Sequence, residues 1–362
     1  MNEVSRRGFC LSLLGASTLS APRNPDIRMH DGAPADRSPS LTDIDGLLVG
    51  HYTCKERPTG CTVITSRSAF TAGVDIRGGA PGSYDTDLLR SENMVDKVNA
   101  VFLSGGSAFG LAVGPGVARR LEEQGMGFEV GRLRVPIVCG AIIFDLSLGD
   151  ATIRPDFTAG YEACKAAGSL PVPEGNVGAG AGATVGKFTG AAHAMKGGLG
   201  SWSMRSPDGL RVGAIVTVNA VGDIVDPATG KIIAGARRSD GLGFVDALSL
   251  MRSGQSPRSS APDSTVIGLV ATNAVLTKTQ CNKVAQMAHD ALARCIYPTH
   301  MPWDGDTIFA VATGNWTGDG RAADVGVIGA LAADVLATAI VRAVSQAESW
   351  GPYPAARDYP KR

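Results

Sequence analysis

Asp263-Ser264-Thr265 stands where a polar, turn-rich stretch, 236–263, meets an apolar run from Thr265 to Thr272. A threonine at the head of such a run can attack the carbonyl before it, here that of Ser264. The peptide then shifts to an ester, water hydrolyses the ester, and a new chain begins at Thr265. Its free α-amine, with an ordinary pKa of roughly 7.7–8.0, would serve as general base for its own hydroxyl. The plainer reading is that Thr265 merely starts a strand.

Two glycine-rich stretches invite other chemistry and fail on spacing. Gly180-Ala181-Gly182-Ala183-Thr184-Val185-Gly186-Lys187 is close to a phosphate loop. That motif needs glycine where Ala181 stands and a hydroxyl where Phe188 stands, so it lacks its magnesium ligand. Gly105-Gly106-Ser107-Ala108-Phe109 falls short of a nucleophile elbow because Phe109 occupies the second glycine's place. Ser107 reads instead as the cap of a helix, with Gly105, Gly106 and Ser107 forming a pocket wall that could meet a substrate carboxylate. The histidines His30, His51, His193, His289 and His300 form no HExxH or comparable pair, so no metal site is expected. The seven cysteines show no CxxC spacing and read as buried thiols.

The elements that would position these residues are short. β-like runs fall at Leu47–Tyr52, Cys61–Thr65, Thr71–Ile76, Asn99–Leu103 and Val135–Val138, with helical spacing over Ala108–Gln124 and Tyr161–Ala167. Two strands flank the turn Ser206-Pro207-Asp208-Gly209. Beyond the polar stretch come a strand at Thr265–Thr272, a helix at Thr277–Ile296, a strand at Thr307–Ala312 and a long apolar helix at Val325–Ala347. Alanines and Asp334 interrupt that last helix, which argues against stable membrane insertion. Irregular mixing of strands and helices favours an α/β architecture of packed sheets flanked by helices over a Rossmann domain. Abundant glycine (47 residues) and few aromatics (6%) call for close backbone packing and a core of small aliphatic side chains. Lys+Arg and Asp+Glu are equal at 34 each, so bulk charge draws the chain to neither nucleic acid nor an anionic membrane.

The first residues read as an address. Ser5-Arg6-Arg7-Gly8-Phe9-Cys10-Leu11 matches the twin-arginine export pattern, followed by an apolar run to Ala21 that is too short to span a bilayer. Residues 1–21 are therefore expected to be a signal peptide and 22–40 a flexible leader. Residues 41–362 would form a single catalytic domain in the periplasm or outside the cell; the alternative is a cytoplasmic protein with a chance Arg-Arg pair.

Ordered segments along the chain carry a family likeness: LTDIDGLLVGHYT from Leu41, AGVDIRGGAPGSYDTDLL from Ala72, VFLSGGSAFGL from Val101, VGAGAGATVGK from Val177, VGAIVTVNAVGD from Val212, STVIGLVATNAVLTKTQ from Ser264 and AHDALARCIYPTHMPWDGDTIFAVATG from Ala288. In these the chain resembles the DmpA-type L-aminopeptidase/D-esterase family of self-processing N-terminal-nucleophile peptidases, which includes beta-peptidyl aminopeptidases. The resemblance implies a four-layer αββα sandwich, also the fold of ornithine acetyltransferases. It implies self-cleavage between Ser264 and Thr265, Thr265 as nucleophile, no cofactor, and a homotetramer of cleaved pairs. Substrates would be short peptides, amides or esters with a free amino end. The family's oxyanion-stabilising asparagine falls on Asn219, and its hydroxyl-and-carboxylate pair on Asp304 and Asp306, which would hold an ammonium. Phe144 falls where some members place an aromatic hydroxyl near the substrate. The chain departs from the family at Ser264, a second hydroxyl and rival nucleophile, and at Asp304, a carboxyl in place of a hydroxyl. The other readings are an acetyltransferase of the related fold and an exported binding protein that never cleaves.

Overall fold

The computed structural model describes residues 38–257, 263–318 and 323–360. The twin-arginine segment and nearly all of the leader lie outside the described residues.

Eight strands make the frame: β1 (Leu47–Thr53), β2 (Gly60–Ile76), β3 (Lys97–Ser104), β4 (Val138–Ile142), β5 (Gly198–Arg205), β6 (Arg211–Asn219), β7 (Thr265–Thr272) and β8 (Thr307–Ala312). They pair in the order β5-β6-β7-β8-β2-β3-β4, with the short strand Ser83–Tyr84 at the β4 edge and β1 alongside β2. Pairing is antiparallel except between β7 and β8 and between β3 and β4. The two runs Cys61–Thr65 and Thr71–Ile76 are one strand, β2, whose register shifts between Thr65 and Phe70. The first part of β2 pairs with β1 and its last part with β8. This single long strand therefore belongs to two sheet wings.

Three apolar cores show that the wings face each other. Ile64, Val101, Leu103 and Cys139 from one wing pack with Ile215, Ile267, Leu269 and Phe309 from the other. Alternate residues point outward, as the two-residue period of a strand requires. Val216, Val266, Val270 and Ile308 share a core with helices α4 (Lys278–Ala288), α5 (Asp290–Cys295) and α6 (Val325–Ser345). Cys61, Val63, Phe102 and Val138 share the third core with α1 (Val113–Glu123) and α2 (Phe157–Lys165). Helices, wing, wing, helices: the expected αββα sandwich is the observed one.

The glycines permit the close layering. A Cβ on Gly200 would sit 2.1 Å from the Ala339 carbonyl, and one on Gly198 2.4 Å from that of Ala343, so β5 and α6 pack backbone to backbone. α6 is long and apolar enough to cross a membrane, yet most of its apolar stretch is buried inside the sandwich.

Several element boundaries differ from the sequence reading. The helix expected over Ala108–Gln124 opens as a 3-10 turn, Ser107–Ala112, and becomes α-helical at Val113. The helix expected over Tyr161–Ala167 starts earlier, at Phe157, where Asp156 caps it by accepting from Ala159 N. The helix over Thr277–Ile296 has the expected Thr277 cap but breaks at His289 into α4 and α5. Val135–Val138 divides between a hairpin strand, Leu133–Val135, and β4. The polar stretch 236–263 contains a helix, α3 (Ala247–Arg252), capped by Asp246.

Both glycine motifs converge on one buried ion pair. Arg57 and Asp145 meet at 2.9 Å with neither side chain exposed. Arg57 also donates to the carbonyls of Leu148 and Ile153, at 2.6 and 2.7 Å. Asp145 accepts from Thr59 Oγ1 at 2.6 Å and from Gly106 N at 2.9 Å. A Cβ on Gly105 would lie 2.2 Å from Asp145 Oδ2, and one on Gly182 2.5 Å from the same atom. Glycine is thus demanded at Gly105 and Gly182 by the carboxylate that the two turns enclose. Removing one partner strands a buried charge, which typically costs about 3–5 kcal/mol. Arg57→Met should lower unfolding stability by that amount in urea titration.

Candidate active site

Thr265 is the first residue of β7 and is buried. Its hydroxyl donates to the Ser264 carbonyl at 2.5 Å, and the Gly305 N–H donates to the same oxygen at 3.2 Å. The register explains the convergence. β7 and β8 run parallel with Ile267 opposite Thr307, so the residues entering them also lie side by side, and Ser264 bridges Asp304. A Cβ on Gly305 would sit 2.8 Å from Thr265 Oγ1, which leaves room for no larger residue.

β6 ends at the same edge, with Asn219 opposite Thr265. Its side-chain amide donates to the carbonyls of Asp263 and Phe144, at 3.2 and 3.0 Å. Asn219 therefore touches the carbonyl one residue ahead of the Ser264–Thr265 bond. Its Oδ1 accepts from Thr184 N and from Lys187 Nζ, each at 3.0 Å.

Lys187 was not among the residues expected here. Its ammonium reaches the carbonyls of Asp263 at 2.5 Å and Asn219 at 3.1 Å, and burial pushes its pKa down to about 8. The available signal was a lone cation in an otherwise apolar, glycine-rich run.

The two acidic residues have different environments. Asp306 Oδ1 accepts from Val266 N at 2.8 Å, while Oδ2 accepts from Thr299 Oγ1, His300 N and His300 Nδ1 at 3.0, 3.0 and 2.8 Å. Asp304 Oδ2 accepts from Met301 N at 2.8 Å, while its Oδ1 is buried without a hydrogen-bond partner among the described residues. Burial first, and then the neighbouring Asp306, push the Asp304 carboxyl up to about 7. Only Asp304 thus has an oxygen to offer an incoming group.

The turn at Gly105, Gly106 and Ser107 is tied through Gly106 N to Asp145, the residue after Phe144. Ser107 is not the cap that the sequence suggested. Gly106 takes the cap position and no side chain bonds there. Ser107 itself has a φ of +55°, and its N–H goes to the Ile143 carbonyl. Phe144 enters the site through its carbonyl, which holds Asn219.

A family model described as peptidase family S58 matches residues 39–353. The chain belongs to peptidase family S58. It is 40% identical over 343 residues to a Mycobacterium tuberculosis protein named an uncharacterized aminopeptidase, covering 88% of this chain and 97% of that one. A similarly named Mycobacterium leprae protein is 42% identical over 342 residues, covering 86% and 91%. A 6-aminohexanoate-oligomer endohydrolase of a Kocuria species is 30% identical over 310 residues, covering 83% and 82%. In structure the chain is similar to the L-aminopeptidase D-Ala-esterase/amidase of Ochrobactrum anthropi, described as a variant among the Ntn-hydrolase fold. The TM-score is 0.65 at 20% identity, over 88% of this chain and 89% of the other. A Burkholderia beta-aminopeptidase gives 0.63 at 24% identity, over 88% and 90%. This S58 protein is a peptide-bond hydrolase on an Ntn-hydrolase fold, as the resemblance implied.

The raised Asp304 pKa has a stability consequence. An unfolded aspartate titrates near ~3.9, so between about pH 4 and pH 7 the folded chain binds the extra proton and stability falls as pH rises. Asp304→Asn should therefore raise the thermal midpoint at pH 8 and leave it nearly unchanged at pH 4.

Proposed function

We propose that this S58 hydrolase matures by cutting itself between Ser264 and Thr265 and then uses Thr265 as the nucleophile of an aminopeptidase or amidase. The observation that carries this is the meeting of Thr265 Oγ1 and Gly305 N on one carbonyl oxygen, that of Ser264. Attack of Oγ1 on that carbon places negative charge on an oxygen that already faces an N–H donor. A single donor of this kind is worth about 3 kcal/mol. The C–N bond then breaks, the α-nitrogen of Thr265 takes up the proton, and water hydrolyses the ester to free the Ser264 carboxylate. Ser264 is the weaker candidate, because its own hydroxyl points to Asp263 Oδ1 at 3.2 Å.

Departure of 263–264 frees Gly305 N, Asn219 Nδ2 and Lys187 Nζ from the carbonyls they hold in the uncut chain. These donors would receive the substrate carbonyl. The new α-amine of Thr265 would move the proton, and an acyl-enzyme would form and be hydrolysed. The unsatisfied oxygen of Asp304 would face the substrate's ammonium. Asp306, originally expected to share that task, is filled by protein donors and instead holds the first peptide of β7. Amide substrates with a free amino end fit both the relatives named aminopeptidase and this unpaired carboxyl. Export by the twin-arginine route and assembly as a tetramer of cleaved pairs remain part of the proposal.

Intact mass and N-terminal sequencing of purified protein should find a fragment beginning at Thr265. Thr265→Ala should abolish cleavage and activity together, while Ser107→Ala should leave cleavage intact. An undivided yet active wild-type chain would sink the mechanism.

Recognition of the ammonium is tested separately. An acetylated terminus offers Asp304 no ammonium to pair with, and loss of one charge-assisted hydrogen bond, about 1.5–3 kcal/mol, corresponds to roughly 10- to 100-fold in kcat/KM. An N-acetylated dipeptide amide should be cut that much more slowly than its free-amine counterpart, and Asp304→Asn should narrow the gap. Equal rates on the two would point to internal cleavage of the kind the Kocuria relative is named for.

A further inference from the structure

Behind the acidic pair lies a histidine that the mechanism above does not use. His300 Nδ1 lies 2.8 Å from Asp306 Oδ2, and its backbone N–H reaches the same oxygen at 3.0 Å. A carboxylate oxygen only accepts, so the Nδ1 of His300 carries the proton. The residue adopts a φ of +57°, a left-handed conformation uncommon outside glycine. That conformation lets backbone and ring donate to one atom. The ring is also walled in: His289 meets it edge-on at 4.9 Å between centroids, and His289 is itself tied through Nε2 to the Asp75 carbonyl at 2.9 Å. Burial pushes His289 down to about 4, so this wall is uncharged at neutral pH.

The other oxygen of Asp306 accepts from Val266 N at 2.8 Å. Val266 follows Thr265, so this bond fixes the peptide that joins them. We propose that His300 is a positioning residue of this site: it clamps Asp306 so that Asp306 holds the Thr265–Val266 peptide and keeps Thr265 aimed at the reacting carbonyl. The inference rests on Thr265 being the nucleophile. It assigns His300 no contact with substrate. Its effect reaches the reaction through orientation, and displacement of a reacting group by about 1 Å can cost on the order of 100-fold in rate. Uniform binding is untouched by such a displacement, so the loss falls on kcat.

The test compares wild type, His300→Ala and His300→Asn as full chains, reading extent of cleavage by intact mass, thermal midpoint, and kcat and KM on a free-amine dipeptide amide. His300→Ala should cleave slowly and lose about 10- to 100-fold in kcat with KM within about twofold. In His300→Asn the side-chain amide N–H replaces the Nδ1–H, so kcat should return to within about threefold of wild type. A His300→Ala enzyme with wild-type kcat, or a His300→Asn enzyme as impaired as His300→Ala, would overturn the inference. Should His300→Ala fail to fold, His300→Asn decides alone: kcat near wild type supports the clamp, and a 10-fold or larger loss in a folded chain overturns it. A wild-type chain that never cleaves overturns the nucleophile reading and this one with it, and is recognised without any His300 variant.

Discussion

Parallel pairing of β7 with β8, next to antiparallel pairing of β7 with β6, brings three strand ends to one edge of the sheet. β7 and β8 both begin there and β6 finishes there. Thr265, Asn219 and the Asp304-Gly305-Asp306 segment therefore meet without any loop having to reach across the molecule. The ladder cannot satisfy every backbone group at such a corner, and side chains complete it. Asp306 takes the Val266 N–H, and Lys187 takes the carbonyls of Asp263 and Asn219. Buried polar groups left open would each cost about 1–3 kcal/mol, so the residues that finish the ladder are also those gathered near the Thr265 hydroxyl.

The electrostatics follow from the same corner. Desolvation is the first cause of both large shifts, downward for Lys187 to about 8 and upward for Asp304 to about 7. Mutual attraction opposes desolvation in each but does not overcome it. Burial thus works against the charged form of both groups at this corner.

The layers were legible in the sequence because strand alternation and small-residue packing are local properties. Thr265–Thr272 and Thr307–Ala312 were read with the ends they have. Boundaries set by tertiary contacts were not. The continuous strand β2 looked like two, since the register shift that bends it between the wings is recorded in pairing and leaves no clear mark in composition. Ser107 looked like a cap, but a buried carboxylate 38 positions later in the chain, Asp145, takes the neighbouring N–H. Lys187 was hidden for the same reason. A lysine after a glycine-rich turn suggests solvent or phosphate, and only the return of β6 shows that it faces a carbonyl cluster.

In the maturation proposed above, the Asp263-Ser264 backbone would occupy the place of a substrate, and it brings a like charge to Asp304. Asp263 is one of the groups that raise the Asp304 pKa, through like-charge repulsion. Cleavage before Thr265, as proposed, would carry the Asp263 carboxylate away and leave Lys187 without the Asp263 carbonyl it holds at 2.5 Å. The two changes act on Asp304 in opposite directions: one repulsion disappears, while Lys187 loses the Asp263 charge that helps to keep it protonated. Maturation as proposed would therefore shift the charge balance of Asp304 and Lys187 together, in the same event that frees the Thr265 amine.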